Sequence, residues 1–132
     1  MDTVTITIPD KDSFVPLLRL VLGAVAMRKN VCYDDLDDVQ LAVDDLLSGR
    51  MPNQGHVTMT VQVRDNDLDI TVDALVDESL CRRLRDGPAQ QPDGEQAGVV
   101  DTCLLLRSLM DGYEVLDLPA GRFSVRMTKH CQ

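Results

Sequence analysis

Histidine imidazoles and cysteine thiols, the side chains that most often do chemistry in proteins, are few and scattered in this sequence. The histidines are His56 and His130, and the cysteines are Cys32, Cys81, Cys103 and Cys131. There is no CxxC pair, no Cys/His spacing that suits zinc, and no serine or cysteine placed beside a histidine for nucleophilic catalysis. The sequence also lacks a P-loop, a dinucleotide fingerprint and a nucleophile elbow. We therefore predict no metal site and expect reduced thiols, with Cys103 buried in an apolar helix.

Net charge and composition indicate which kinds of partner the protein can bind. The 132 residues carry 22 acidic and 13 basic side chains, a formal net charge of −9 that opposes binding to a nucleic-acid backbone. Aromatic residues make up 3% of the chain and tryptophan is absent, so we expect no base-stacking platform. The acidity either suits a basic protein partner or only keeps the chain in solution.

Length and hydropathy predict a single domain over residues 1–132. Hydrophobic residues make up 44% of the chain, which is ordinary for a globular protein. The longest apolar run, residues 14–27, is interrupted by Pro16, Arg19 and Gly23 and is too short to span a bilayer. No signal-peptide pattern opens the chain, so we expect a cytoplasmic protein with no membrane partner and no direct nucleic-acid partner.

Hydrophobic periodicity predicts strands and helices along the whole domain. Strand patterns cover residues 3–8, 57–63, 68–76, 113–118 and 122–128. Helical patterns cover residues 14–28, 34–48, 78–86 and 99–110, and the polar Gly/Pro-rich residues 87–97 predict a flexible loop. This order predicts an α+β fold: a two-layer α/β sandwich in which a mixed five-stranded sheet carries about three helices on one face.

The first predicted helix is apolar nearly all round, whereas a surface helix normally keeps a polar side. We predict that it buries one side and offers the other to a partner; the alternative is a central buried helix. The candidate contact residues are Leu17, Leu20, Val21, Ala24, Met27 and Arg28.

In four segments the chain resembles the bacterial anti-sigma factors of the serine-kinase type, which share the ATPase fold of histidine kinases, gyrase and the Hsp90 chaperones. The segments are ITIPDKDSFVPLLRLVLGAVA, YDDLDDVQLAVDD, LLLRSLMDGYEV and GRFSVRMTKH. The resemblance implies the histidine-kinase-type ATPase fold and homodimerisation. It also implies that the protein holds a sigma factor inactive. Many members of the family phosphorylate an anti-anti-sigma protein, which releases the sigma factor.

The same resemblance places the family's nucleotide residues on this chain, and several of them are missing. The catalytic glutamate corresponds to Asp45, which keeps a carboxylate, and the magnesium-binding asparagine corresponds to Gly49, which has no ligand. Asp73 matches the adenine-binding aspartate if the register slips by one, the family's glycines are missing there, and Thr128 matches a position near the adenine. Residues 87–97 stand in place of the ATP lid. We therefore expect no ATP or magnesium cofactor, and no catalytic residue unless Asp45 still serves a kinase.

These residues lead to one predicted function with two alternatives. We predict an anti-sigma factor or partner-switch regulator that sequesters a sigma factor by protein–protein binding, without ATP-dependent kinase activity. Its partners are a sigma factor, a STAS-type anti-anti-sigma protein and a second copy in a homodimer. One alternative is an active Ser/Thr protein kinase that phosphorylates an anti-anti-sigma protein. The other is a pseudokinase scaffold that binds an anti-anti-sigma domain.

Overall fold

A computed structural model of the chain describes residues 2–28, 31–48, 55–86 and 102–131. The helices and strands within these ranges follow in the order β1 (Asp2–Pro9), α1 (Val15–Arg28), α2 (Tyr33–Ser48), β2 (His56–Arg64), β3 (Asp67–Leu75), α3 (Glu78–Asp86), α4 (Thr102–Leu109), β4 (Gly112–Asp117) and β5 (Phe123–His130). Short 3-10 turns precede α1 and β5. The predicted order of elements is confirmed. The loop predicted at residues 87–97 lies outside the described residues.

The five strands form one sheet in the order β1-β2-β3-β5-β4, and every neighbouring pair is antiparallel. The α+β class is confirmed, but the prediction of a mixed sheet is wrong. Two helices of similar length, α1 and α2, return the chain to the end of the sheet where β1 finished, so β2 runs against β1. Strand β5 lies between β3 and β4, which run in the same direction, and so keeps them from forming a parallel pair.

One face of this sheet is apolar and covered by helices. In β2 the alternate residues Val57, Met59, Val61 and Val63 are buried, because successive side chains of a strand point to opposite faces. They join side chains of β3, β5 and the helices in one hydrophobic core. The opposite face carries threonines and charged residues, so the molecule has two layers.

Four α-helices, rather than about three, are present in the described ranges. Helix α2 begins with Asp34 and Asp35, whose negative charge suits a helix N-terminus, and it packs between α1 and α4. Helix α3 is capped by the Asp77 side chain, which accepts a hydrogen bond from the Leu80 N–H (3.0 Å). No helix of the described ranges is both long and apolar enough to cross a membrane.

Lys129 of β5 connects the sheet to two helices. Its Nζ donates to the carbonyl oxygen of Leu109, at the end of α4 (2.6 Å), and to the Asp38 carboxylate of α2 (3.1 Å). The side chain is mostly buried. A buried ammonium group needs such partners, because leaving water without them is costly.

Helix α1 buries one side only. Leu18, Leu22 and Ala26 are fully buried against the core, whereas Leu20 is 69% exposed on the opposite side. The spacing of three and four residues places the buried residues in one stripe, so the side away from the sheet faces water.

Truncating the two sides of α1 should therefore have unequal effects on folding. We expect Leu22→Ala to reduce the free energy of unfolding by about 3 kcal/mol, since it leaves a cavity in the core. We expect Leu20→Ala to change it by less than about 0.5 kcal/mol. Urea unfolding followed by circular dichroism measures both. Equal losses would show that both sides of α1 are covered.

Candidate functional site

The outward side of α1 is a continuous apolar stripe. Leu17, Leu20, Ala24 and Met27 follow one another at intervals of three and four residues, which is the spacing of one helix face. All four are exposed, and Met27 is 73% exposed. Arg28 is also exposed, at the end of the stripe, whereas Val21 at its side is half-buried and packs against the core. We call Leu17, Leu20, Ala24 and Met27 the α1 stripe.

Contacts with α2 hold this stripe in place. Arg19 pairs with the Asp44 carboxylate (3.2 Å), and Gln40 Nε2 donates to the Arg19 carbonyl oxygen (3.1 Å). Gly23 faces the same glutamine, and a Cβ there would make an ordinary contact, 3.7 Å from Gln40 Nε2. The α1 stripe is therefore fixed on a helix that is tied to its neighbour and to the core. A rigid apolar surface of this kind binds a partner without a large ordering cost.

Asp45, the residue matched to the family's catalytic glutamate, lies half-buried on α2. Its Oδ2 is buried and has no hydrogen-bond partner among the described residues, and the same holds for Oδ1 of neighbouring Asp44. Burial raises the pKa of Asp44, and the charge of Arg19 opposes that rise only in part. Gly49, the matched metal position, lies outside the described residues.

Asp73 and Thr128, matched to the adenine site, lie on the other side of the sheet. Asp73 is opposite Thr58 on β2, and so on the face turned away from buried Val72. Thr128 is opposite Asp69, and its hydroxyl donates to Asp69 Oδ1 (2.8 Å). The structure therefore brings neither residue together with Asp45.

The described residues that match the family's nucleotide site do not converge. A nucleotide is held by groups that converge on it from one side, whereas here the sheet separates Asp45 from Asp73 and Thr128. Within the described ranges, no three His, Cys, Asp or Glu side chains are close enough together to hold a metal ion.

The most constrained charged group of the outer face is Asp69, which the sequence alone did not single out. Only 5% of Asp69 is exposed, and its carboxylate accepts hydrogen bonds from Arg64 (2.6 Å), Arg126 (3.4 Å) and Thr128 (2.8 Å). Burial alone would raise the pKa of Asp69, but the bonds from Thr128 and Arg64 and the charge of Arg126 together lower it. The role of Thr128 in this structure is to hold that carboxylate.

The four cysteines occupy different environments. Cys32 is exposed and donates its S–H to Asp35 Oδ2 (3.1 Å), and Cys81 is partly exposed. Cys103 is buried, as predicted, with its sulfur 3.0 Å from the Tyr113 hydroxyl. Burial, helped by the charge of Asp35, raises the pKa of the Cys131 thiol to about 11. Cys131 is thus a protonated and unreactive thiol at neutral pH.

Removing the Asp69 charge should destabilise the protein in a pH-dependent way. The pKa of Asp69 is lower in the folded than in the unfolded chain, so its ionised form stabilises the fold above about pH 4, and this contribution is lost as the pH falls through the folded value. We expect Asp69→Asn to reduce the free energy of unfolding by about 2 kcal/mol at pH 7. The difference from the wild type should shrink in acid.

Urea unfolding at several pH values measures this effect. Asp73→Asn is the matched control, because it changes the same residue type on the same strand and face, and we expect a change below about 0.5 kcal/mol. A pH-independent effect of Asp69→Asn would contradict an ionised, paired Asp69.

Sequence comparison finds relatives of one kind. The serine-protein kinase RsbW of Bacillus velezensis is 28% identical to this chain over 78 residues, which cover 54% of the chain and 49% of that protein. The chain is similar to RsbW. RsbW of Halalkalibacterium halodurans is 38% identical over 42 residues, which cover 32% of the chain and 26% of that protein. The alignment with the first of these RsbW proteins thus spans about half of its length. No family model matches the chain.

Solved structures show that the fold is RsbW-like. The RsbU and RsbW domains of a Mycobacterium tuberculosis protein match with a TM-score of 0.70 and 11% identity, over 99% of this chain and 33% of that one. A chain of the SiaB–SiaC complex from Pseudomonas aeruginosa matches with a TM-score of 0.62 and 14% identity, over 96% of this chain and 88% of that one. The predicted resemblance and its fold are confirmed.

Proposed function

We propose that this protein is an anti-sigma factor or partner-switch regulator that sequesters a sigma factor by protein–protein binding, without ATP-dependent kinase activity. The α1 stripe is the observation that carries the proposal, because it is a rigid, exposed apolar surface on an RsbW-like fold. Sequence similarity to RsbW supports it. We place this activity in the cytoplasm, where sigma factors meet RNA polymerase.

The α1 stripe would sequester the sigma factor by covering part of its surface. Leu20 and Met27 are the most exposed large side chains of the α1 stripe, so they are the residues that bury the most apolar area when a partner covers it. The partner would thereby lose a surface that it needs for binding polymerase or promoter. The net charge of −9 favours a partner with a basic contact surface and should speed association at low ionic strength.

Release follows from competition for the same surface. A STAS-type anti-anti-sigma protein that binds the chain would displace the sigma factor without phosphoryl transfer. One structural neighbour comes from a complex of two proteins, SiaB and SiaC, which supports protein binding as the activity of this fold. We also propose that the protein forms a homodimer.

Charge introduced into the α1 stripe should abolish sigma-factor binding. We expect Leu20→Asp combined with Met27→Asp to weaken the affinity at least about 100-fold, since the interface would then bury two unpaired carboxylates. The measurement is a calorimetric titration of the purified chain with each sigma factor of its own cell. Leu41→Asp is the control, because Leu41 is an exposed leucine that lies on α2 instead of α1. The affinity of this variant for the sigma factor should change less than about threefold.

Two results would contradict the proposed function. One is a wild-type chain that binds no sigma factor of its cell. The other is equal loss of affinity in the α1 variant and in Leu41→Asp, which would show that the α1 stripe is not the binding surface. Circular dichroism should show that all variants remain folded, because the substituted residues are exposed.

A kinase is the second candidate function, and two observations favour it. The matching RsbW proteins are named serine-protein kinases, and Asp45 keeps a carboxylate with a buried oxygen that lacks a partner among the described residues. Such a carboxylate is suited to accept a proton from a substrate hydroxyl. A pseudokinase scaffold would instead bind the anti-anti-sigma domain alone.

Titration with Mg-ATP separates these functions. Because Asp45, Asp73 and Thr128 do not converge, we expect no heat of binding, and no phosphate transfer to an anti-anti-sigma protein. The same titration of an active RsbW protein is the positive control. Saturable Mg-ATP binding that Asp45→Asn weakens would favour the kinase. Binding of an anti-anti-sigma protein without any sigma factor would favour the scaffold.

A further inference from the structure

Strand β4 is an edge of the sheet, and only β5 pairs with it among the described strands. The Leu118 N–H, just after β4, donates to the Arg122 carbonyl oxygen (2.9 Å), so these two residues form a hydrogen-bonded pair. Such pairs alternate with non-bonded pairs along an antiparallel ladder. The register therefore gives the even-numbered residues of β4 the same role, and their backbone N–H and C=O groups point toward β5.

The odd-numbered residues of β4 turn their backbone groups to the open side. They are Tyr113, Val115 and Asp117, and no backbone group within the described ranges pairs with them. The far side of β5 agrees with this assignment, because the Cys131 N–H donates to the Asn66 carbonyl oxygen (2.6 Å) and so commits the odd-numbered residues of β5 to β3. The open side of β4 thus presents N–H and C=O groups at every second residue, as another strand requires.

A cleft of about 460 Å³ adjoins this open side, between β4 and the last turns of α3 and α4. Its apolar lining comes from buried Leu84 and Met110 and from half-buried Val115. The Tyr113 hydroxyl donates to the Leu84 carbonyl oxygen (2.6 Å) and fixes β4 to α3 at the cleft. A preformed apolar cleft therefore lies beside the outward backbone groups, and it can take a side chain.

Charged groups of both signs stand beside the cleft. Exposed Arg107 of α4 lines it on the helix side. Glu114 lies on the outer side of β4, where Arg126 is 3.6 Å from its carboxylate, a long and exposed ion pair that contributes little. Asp117 is already bound by Arg85. A strand that pairs with β4 therefore gains from an acidic residue on the cleft side and a basic residue on the outer side.

From these features we infer that β4 and the cleft bind an extended segment of a partner protein, which adds to the sheet antiparallel to β4 as a sixth strand. The segment exchanges backbone hydrogen bonds with Tyr113, Val115 and Asp117. Its residue opposite Val115 is aliphatic and enters the cleft. Its residue opposite Tyr113 is acidic and reaches Arg107, and its residue opposite Glu114 is basic.

This surface is separate from the α1 stripe. Helix α1 packs against β1 and β2, whereas β4 is the opposite edge of the sheet. One molecule can therefore hold a strand at β4 while another partner covers the α1 stripe. The β4 surface goes beyond the proposed function and does not depend on it.

A synthetic peptide with the expected pattern, acetyl-Gly-Thr-Val-Leu-Lys-Glu-Thr-Gly-amide, is the probe. With its leucine opposite Val115, antiparallel pairing sets its lysine opposite Glu114 and its glutamate opposite Tyr113. We expect saturable binding to the full-length chain, with a Kd below about 1 mM. Two-dimensional amide NMR measures the binding, and the largest shifts should fall on the N–H groups of Tyr113, Val115 and Asp117.

Methylation of the peptide backbone separates strand addition from binding by side chains alone. A methyl group on the leucine nitrogen removes a donor that faces β4, so the affinity should fall at least about tenfold. A methyl group on the lysine nitrogen is the matched control, because that nitrogen points away from β4. The control peptide carries the same side chains, and its affinity should change less than about threefold.

A proline in β4 tests the same contact from the side of the protein. Val115→Pro removes an outward N–H, which an edge strand tolerates, so the chain should stay folded by circular dichroism and bind the peptide at least about tenfold more weakly. Thr5→Pro is the matched control on β1. The Asp10 N–H donates to the Gly55 carbonyl oxygen (2.9 Å), and by the same alternation the Thr5 N–H points outward. Its peptide affinity should not change.

Three results would overturn the inference. An unmethylated peptide that causes no saturable shift in β4 shows that this edge does not take a strand. Equal affinities of the two methylated peptides show that backbone pairing is not the contact. Shifts confined to the α1 stripe place the peptide on the surface proposed for the sigma factor. Sigma-factor binding is measured separately, so its absence leaves the β4 surface standing, and failure at β4 leaves the proposed function standing.

Discussion

The packing of α1 against the apolar face of the sheet is the contact on which the other features of the molecule depend. Leu18, Leu22 and Ala26 are fully buried there, and the helical period then turns Leu20 and Met27 to the opposite side. Within the described ranges, nothing lies further out to cover that side. The exposed α1 stripe follows from an apolar helix placed in the outer layer of a two-layer fold.

The alternation of side chains in the sheet is a second constraint. It determines which face of the sheet carries Asp73 and Thr128, the residues matched to the family's adenine site. A strand residue faces either the helices or solvent, and a neighbour one position away faces the other side. Asp69, Asp73 and Thr128 all face away from the helices, where Asp69 and Thr128 join the arginine network. The hydroxyl of Thr128 is thereby engaged with Asp69, on the side of the sheet opposite Asp45.

The sequence predicted the elements well, because each is long and strongly periodic. The stripe on α1 was also predictable, since the helix has more apolar residues than one buried side needs. The sequence predicted a mixed sheet instead of an antiparallel one, because the position of β5 between β3 and β4 depends on long-range pairing that no local pattern encodes. The Asp69 network was missed for the same reason: Arg64, Asp69 and Thr128 come together only once the register is known.

The contacts between α1 and α2 make the position of α1 independent of the residues matched to the nucleotide site. Arg19 holds α1 through Asp44 and through a backbone carbonyl that Gln40 binds, and none of these contacts uses Asp45, Asp73 or Thr128. Substitutions at these three residues should therefore leave the position of α1 unchanged. The residues of the α1 stripe and the residues matched to the nucleotide site can therefore vary independently of each other.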